Sequence, residues 1–259
     1  MAIENVKSIG VLGAGIMGSG ISQTATLVGY KVICRDLNDE ILARARDTII
    51  NGKFGLKSAI ERGKLSQVQM NEALARLTLT TRVEDLRDCD LVIEAIGGAS
   101  ASEIENKPLK LKVFAELDKI VKKEAIFATN TGMFTVADLA AVTKRKDKFI
   151  GMHWFSPAYI MKAVEVVWTP DTSEDTIQTI ESLCNKFGKI SARVKDVPGD
   201  AGHAGLRIFL AAAKEARALV REGIATAEDI DTIMVGGFGW PAGPLGMNRN
   251  VRGGWTQKK

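Results

Sequence analysis

The chain has 259 residues, which at ~150 residues per domain predicts between one and two domains. Lysine and arginine (35) outnumber aspartate and glutamate (31), giving a net charge of +4; hydrophobic residues make up 46% and charged residues 25%. These are the proportions of soluble globular proteins, and they exclude a disordered chain, a collagen-like fibre and a disulfide scaffold. So dilute a charge does not predict a nucleic-acid partner, but it is compatible with a small anionic ligand.

The N-terminus and the cysteines predict a cytoplasmic protein with no membrane partner. No apolar run approaches the ~20 residues that a membrane-spanning helix needs. The first residues, MAIENVK, include an acidic residue and lead straight into a strand-like run, unlike a signal peptide. Cys34, Cys89 and Cys184 form no CxxC pair, which is typical of reduced, buried thiols, and with two histidines in the chain no metal site is expected.

Short apolar strands alternate with amphipathic helices through the first two-thirds of the chain. Strands are predicted at residues 8–12, 31–35, 91–96, 125–129 and 149–153. Helical patterns cover residues 41–61 and 109–121, and caps at Ser66 and around Thr172 predict helices that run to about Leu77 and Phe187. This alternation predicts an α/β fold, a Rossmann-like doubly wound parallel sheet with helices on both faces.

The strand signals stop near Val197-Pro198-Gly199. A long helix is predicted over residues 206–222 and another from Thr226, so we expect a first domain over residues 1–196 and a short all-α domain over residues 197–259. The basic, aperiodic stretch from residue 248 onward is expected to be a frayed tail. Residues 97–103, GGASASE, have the composition of a linker, and both an ordinary strand-to-helix loop and an insertion remain open.

The run IGVLGAGIMG near the N-terminus predicts a dinucleotide-binding turn between a strand and a helix. Gly13 permits the tight turn, Gly15 leaves room for a pyrophosphate, and Gly18 lets the helix pack closely on the strand. Ile16 and Met17 begin the helix, where free N–H groups and the positive end of the helix dipole favour phosphates. A glycine-rich turn without a ligand is the alternative.

The second strand ends in Asp36, eighteen residues after Gly18. A carboxylate here accepts hydrogen bonds from both hydroxyls of the adenosine ribose and repels a 2′-phosphate, so NAD is the expected cofactor rather than NADP. Arg35 favours NADP instead, because an arginine in this position could bind the 2′-phosphate.

A histidine and a glutamate form a candidate catalytic pair. His153 ends an apolar strand, a turn follows around Ser156-Pro157, and a second apolar run carries Glu165. Ligands of open α/β sheets gather at the carboxyl ends of the strands. A histidine there can accept a proton at neutral pH, with a carboxylate fixing its tautomer. By residue type alone, a single histidine after an apolar strand is more often structural.

A series of motifs between about Val6 and Met247 resembles the L-3-hydroxyacyl-CoA dehydrogenases, including the 3-hydroxybutyryl-CoA dehydrogenases. In chain order the motifs are GAGIMGSGI, VIEAI, ENKPLKLKVFAELD, GMHWFSP with MKAVEVV, KDVPG, and EDIDTIM followed by GWPAGPLG. The resemblance implies NAD-dependent oxidation of the 3-hydroxyl of an acyl-CoA to a ketone, or the reverse reaction.

The resemblance also implies roles for individual residues. His153 matches the catalytic base of the family and Glu165 its carboxylate partner. The matching cofactor positions are Gly13, Gly15, Gly18, Asp36, Ala95, Glu105 and Lys110. From the residues alone, Glu105 and Lys110 are as well explained as a solvated pair at the start of a helix.

Several positions depart from the family pattern. Gly132 stands where the family has a serine that contacts the substrate oxygen, and Leu206 stands where it has an asparagine facing the substrate. Ser156 replaces another asparagine but keeps a hydroxyl on the substrate side, and His203 is expected in a loop or cap. Losing one donor to a developing oxyanion costs ~10²–10³ in rate, so we expect an impaired site. The run at 97–103 could also displace Glu105.

The length of the C-terminal region bears on assembly. The family forms homodimers through a longer C-terminal domain, whereas this chain stops soon after GPLG, which argues against a dimer here. Three functions remain in view: an NAD-dependent 3-hydroxyacyl-CoA dehydrogenase, a catalytically inactive NAD-binding protein on the same scaffold, and another β-hydroxyacid dehydrogenase. Members of this last class rely on a lysine base, which the motif around His153 does not support.

Overall fold

The computed structural model describes residues 3–97 and 105–249. Most of the run predicted as a linker at 97–103, and the end of the chain from residue 250, lie outside the described residues. The chain divides into two compact units, Met1–Asp200 and Ala201–Lys259.

The first unit is built on an eight-stranded sheet in the order β3-β2-β1-β4-β5-β6-β7-β8. The strands are β1 (Ser8–Leu12), β2 (Lys31–Arg35), β3 (Leu77–Thr80), β4 (Leu91–Glu94), β5 (Ile126–Thr129), β6 (Phe149–Trp154), β7 (Ala163–Trp168) and β8 (Ile190–Lys195). Pairing is parallel from β3 to β6, β7 runs antiparallel to β6, and β8 is parallel to β7. The predicted Rossmann-like class is confirmed, with a reversed pair of strands at one edge.

Helices cover both faces of this sheet. They are α1 (Ile16–Leu27), α2 (Asp39–Asn51), α3 (Leu56–Glu61), α4 (Gln67–Ala75), α5 (Lys107–Ile120), α6 (Val136–Ala140) and α7 (Glu174–Lys186). Successive strand residues point to opposite faces, so Val11 enters one buried apolar cluster and Leu12 the other. Cys34, Cys89 and Cys184 are free thiols inside these clusters, and burial raises the pKa of each.

The second unit is helical, as predicted. It contains α8 (Ala204–Arg221), α9 (Ala227–Phe238) and α10 (Pro244–Arg249). The Asp231 carboxylate on α9 accepts hydrogen bonds from the backbone N–H groups of Leu245 (2.9 Å) and Gly246 (2.7 Å), and so caps the start of α10. Because α10 extends to Arg249, the prediction of an unstructured tail from residue 248 was wrong for its first two residues.

Two predicted elements differ from the structure for local reasons, and two further strands were not predicted. The strand predicted at 91–96 ends at Glu94, because the Ile96 N–H turns to the Glu94 side chain (2.6 Å). The helix predicted over 41–61 is divided between Gly52 and Gly55 into α2 and α3. Two strands, β3 and β8, were not predicted; each pairs with one neighbour at a sheet edge.

None of the described helices is long and apolar enough to cross a bilayer.

Ser66 forms a capping box at the start of α4, in which its side chain accepts from the Gln69 N–H (3.2 Å) and the Gln69 side chain accepts from the Ser66 N–H (2.9 Å). We expect Ser66→Ala to lower the free energy of unfolding by about 1 kcal/mol, because the Gln69 N–H loses its side-chain acceptor. Urea denaturation measures this. Ser66→Thr keeps the hydroxyl and is the control; equal losses in both variants would contradict the role of the cap.

Candidate active site

The three motif glycines are required for different reasons. Gly13 has φ +102°, and a Cβ there would lie 2.6 Å from the Ala95 carbonyl oxygen. A Cβ on Gly18 would overlap the Gly13 carbonyl oxygen, so these two glycines are dictated by the packing of β1, α1 and the end of β4. A Cβ on Gly15 would meet nothing within 4 Å. The space above Gly15 is therefore open, as the approach of a pyrophosphate requires.

The start of α1 is suited to an anion. Gly15 is its N-cap residue and supplies no side-chain hydrogen bond, and the first turn holds no acidic residue. Ile16 is largely exposed and Met17 partly buried, so the first N–H groups of the helix lie at an accessible end.

Asp36 lies beside this turn, at the carboxyl end of β2. Its carboxylate accepts from the N–H groups of Ala14 (2.6 Å) and Leu37 (2.7 Å), which fixes its direction and leaves it capacity for further hydrogen bonds. The Nε of Arg35 donates to the Thr81 carbonyl oxygen (3.2 Å), so that guanidinium is partly engaged by the chain itself. The arrangement fits a dinucleotide whose ribose faces Asp36.

His153 and Glu165 stand opposite each other on the antiparallel strands β6 and β7. The His153 Nδ1 lies 2.7 Å from the Glu165 Oε2, and both side chains are largely buried. A carboxylate accepts but does not donate, so it holds the proton on Nδ1 and makes Nε2 the basic nitrogen of the neutral ring. The structure thus brings together the two residues that the sequence predicts as a pair.

The loop after β5 closes over the same edge of the sheet. The Asn130 Oδ1 accepts from the Trp154 N–H (2.9 Å), and the Asn130 N–H donates to the Glu94 carbonyl (2.7 Å), so this residue ties together the ends of three strands. A Cβ on Gly132 would lie 2.8 Å from the His153 Nε2. The absence of a side chain at 132 therefore determines where the histidine ring can sit.

A buried cluster of charged residues is hydrogen-bonded to this loop. The Lys110 Nζ bonds the Glu94 Oε1 (2.5 Å) and the Ile96 carbonyl (2.9 Å), and lies 3.5 Å from the Glu105 Oε2. The Glu105 Oε1 accepts from the Gly132 N–H (3.0 Å). Lys110 is 2% exposed, so the alternative of a solvated pair at the start of a helix was wrong.

Glu105 also carries a buried oxygen atom, Oε2, that makes no hydrogen bond to the described residues. Buried acceptors without a donor are rare in native proteins, and a bound molecule with an N–H or O–H group is one way to satisfy them.

Comparison with known proteins decides the family. The 3-hydroxyacyl-CoA dehydrogenase NAD binding domain matches residues 8–197, and the 3-hydroxyacyl-CoA dehydrogenase C-terminal domain matches residues 202–258. The chain belongs to the 3-hydroxyacyl-CoA dehydrogenase family. The family model that covers the sheet is an NAD-binding one, so NAD is the cofactor.

Individual relatives agree with this family assignment. A probable 3-hydroxybutyryl-CoA dehydrogenase of Deinococcus radiodurans is 38% identical over 236 residues, 91% of this chain and 80% of that protein. The mitochondrial hydroxyacyl-coenzyme A dehydrogenase of Rattus norvegicus is 35% identical over 243 residues, 93% of this chain and 74% of that protein. The crystal structure of (S)-3-hydroxybutyryl-CoA dehydrogenase from Ralstonia eutropha superposes with a TM-score of 0.84 at 36% identity, covering 94% of this chain and 81% of that chain.

The remaining predicted positions lie in different parts of the dehydrogenase. Ala95 follows β4, and its N–H donates to the Leu12 carbonyl (2.7 Å). Ser156 is half-buried in the segment after β6 and precedes a cis peptide bond to Pro157. In the second unit, His203 is the N-cap residue of α8 and Leu206 lies in its first turn.

Sequence reasoning missed Glu94 as a site residue. It is fully buried, binds Lys110, and accepts a hydrogen bond from the Thr129 hydroxyl (2.7 Å). The available signal was an acidic residue at the end of an otherwise apolar strand, within the quoted motif VIEAI. A buried carboxyl group requires polar partners, which Lys110 and Thr129 supply here.

The glycine turn gives a paired test. We expect Gly15→Ala to keep the thermal stability of the protein but weaken NAD binding about tenfold or more, because the methyl group fills space that only a ligand needs. Gly18→Ala should destabilise the protein itself, because its Cβ overlaps the Gly13 carbonyl. Calorimetric titration with NAD and thermal unfolding measure the two effects. Unchanged NAD affinity in Gly15→Ala would rule out this role of the turn.

Proposed function

We propose that this protein interconverts (S)-3-hydroxyacyl-CoA and 3-oxoacyl-CoA with NAD, using His153 as the base. The observation that carries the proposal is the His153–Glu165 pair, at 2.7 Å, on the sheet that also carries the dinucleotide turn. The 3-hydroxybutyryl-CoA substrate in the names of the Deinococcus radiodurans and Ralstonia eutropha proteins supports a short acyl chain as the first substrate to assay.

The residues of the chain divide the work of proton transfer. In the oxidation direction, His153 takes the proton of the substrate 3-hydroxyl at Nε2, because Glu165 holds the other ring proton on Nδ1. Glu165 then stabilises the imidazolium that forms, as a buried carboxylate at hydrogen-bond distance can. NAD, when bound, supplies the acceptor for the hydride that leaves C3 of the substrate. In the reverse direction, His153 returns the proton to the ketone oxygen.

Other residues position the reactants. Gly15 and the start of α1 would hold the pyrophosphate, and Asp36 the adenosine ribose. Ser156 would present its hydroxyl to the substrate. The Glu105 Oε2, which has no hydrogen-bond partner among the described residues, would accept a hydrogen bond from the bound molecules, while the nearby Lys110 ammonium holds that carboxylate in place.

A second candidate function is NAD binding without turnover. The observation that favours it is Gly132, where a hydroxyl that would stabilise the substrate oxygen is absent and the His153 ring occupies the nearby space. The two candidates share every cofactor contact, so they differ in turnover alone.

We expect His153→Gln to reduce NADH oxidation with acetoacetyl-CoA by ~10²–10⁴, because the proton donor of the reduction is removed. Glu165→Gln should lower the rate less, since the ring remains but its tautomer and charge are no longer fixed. NADH absorbance gives the rates, and the exposed Glu72→Gln on α4 is the control. If the wild-type protein binds NAD but shows no measurable NADH oxidation with acetoacetyl-CoA, the second candidate function is correct.

Substitutions at Gly132 distinguish the effect of a missing hydroxyl from a steric effect on the His153 ring. Gly132→Ala should lower the rate, because its Cβ would lie 2.8 Å from the His153 Nε2 and displace the ring. Gly132→Ser adds the same Cβ together with a donor, so we expect it to exceed Gly132→Ala by roughly tenfold or more, toward the ~10²–10³ of one oxyanion donor. The same acetoacetyl-CoA assay measures both. Equal rates would show that no donor is missing at this position.

A further inference from the structure

A buried cation lies near the catalytic pair and has no part in the mechanism above. Lys189, immediately before β8, is 4% exposed. Its Nζ donates to the backbone carbonyl oxygens of Ala158 (2.6 Å), Met161 (2.7 Å) and Tyr159 (3.2 Å). An ammonium carries three protons, so these three carbonyls match its full donor capacity.

The three carbonyls belong to residues 155–162, the segment that connects β6 to β7. His153 lies just before this segment and Glu165 just after it. On its other side the segment packs against α1, where a Cβ added to Gly20 would lie 3.0 Å from the Ala158 Cβ. The segment is thus held between the helix of the cofactor turn and the Lys189 ammonium.

We propose that Lys189 is a positioning residue: its ammonium holds the 155–162 segment so that His153 and Glu165 keep their register, and loss of its charge at alkaline pH loosens the site while the fold stays intact. The inference rests on the proposed dehydrogenase function. A neutral amine keeps two protons and gains a lone pair, so one of the three carbonyls loses its donor. A buried carbonyl left without a donor is costly, and the segment can relieve it by moving.

The groups around Lys189 place its titration in an accessible range. Burial lowers the pKa of Lys189 to about 8, and the positive charge of Lys162 acts in the same direction. Burial raises the pKa of the Cys184 thiol to about 12, so that thiol stays protonated. Tyr30, which packs on Phe187 beside this site, has its pKa raised by burial too.

Global unfolding would give the opposite pH dependence. The pKa of Lys189 is about 8 in the folded chain against an ordinary value of 10.5. Between these values the unfolded chain binds more protons, so the titration of Lys189 raises the free energy of unfolding as the pH rises. A loss of activity that follows the titration of Lys189 is therefore not caused by an effect of this residue on global unfolding.

The test is the pH dependence of kcat/KM for oxidation of (S)-3-hydroxybutyryl-CoA by NAD. In this direction the catalytic base must be unprotonated when the reaction begins, so an alkaline fall in kcat/KM reports a group other than the base. We expect the fall to have its midpoint near the Lys189 pKa of about 8. The fluorescence of Trp154, whose ring centre lies 5.4 Å from the Lys189 Nζ, should change with the same midpoint.

Substitutions test whether Lys189 is the group that causes the alkaline fall in kcat/KM. Lys162→Gln removes an exposed positive charge, so both midpoints should rise by about a few tenths of a pH unit at low salt. Lys186→Gln, also exposed, is the matched control and should leave them unchanged. Lys189→Met should abolish both transitions and lower kcat/KM about tenfold or more at neutral pH. Should Lys189→Met not fold, Lys162→Gln decides: midpoints that do not move overturn the inference, as does full activity in a folded Lys189→Met.

Amide hydrogen exchange separates this inference from the proposed function. If wild type gives no turnover at any pH, the dehydrogenase proposal fails. Amide exchange in the 155–162 segment, corrected for its intrinsic pH dependence, still reports whether Lys189 restrains this segment. We expect this exchange to accelerate at pH values above the midpoint of the Trp154 fluorescence change. Exchange that stays the same across that midpoint overturns the inference with or without turnover.

Discussion

The reversal of chain direction between β6 and β7 is the constraint on which the active site depends. In an antiparallel pair, residues directly opposite have Cβ atoms about 4.5–5.5 Å apart, and the register places His153 opposite Glu165. A parallel neighbour would need a crossover of a dozen or more residues. The reversal lets a short segment place the base and the carboxylate opposite each other on neighbouring strands.

Two buried lysines define the geometry around that pair in different ways. Lys110 forms an ion pair with Glu94 and so joins the end of β4 to the start of α5. Lys189 meets uncharged carbonyls, and its pKa falls because burial is not offset by a carboxylate. Replacing a buried ion pair with apolar residues is often neutral for stability, so we interpret both lysines as devices for placing backbone rather than as sources of stability.

The sequence was informative where short spacing decides the structure. The glycine turn, the strand on each side of it and Asp36 follow from local patterns, and so does the return of the chain from His153 to Glu165. The contact of Glu94 with Lys110, the contacts of Lys189 and the closeness of Gly132 to the His153 ring could not be predicted, because each depends on residues that are separated in the chain. The edge strands β3 and β8 escaped prediction because they are short or largely exposed, which weakens their apolar alternation.

The clamp made by Lys110 has a consequence for the part of the chain between β4 and α5. Lys110 holds the Ile96 carbonyl on one side of that stretch and lies against Glu105 on the other. The two ends of the stretch are therefore fixed independently of how many residues join them, and each doubling of a loop costs only about 0.6 kcal/mol in closure entropy. Ile96 and Glu105 thus share one anchor, so we expect a change in the number of residues between them to leave the Lys110 contacts in place.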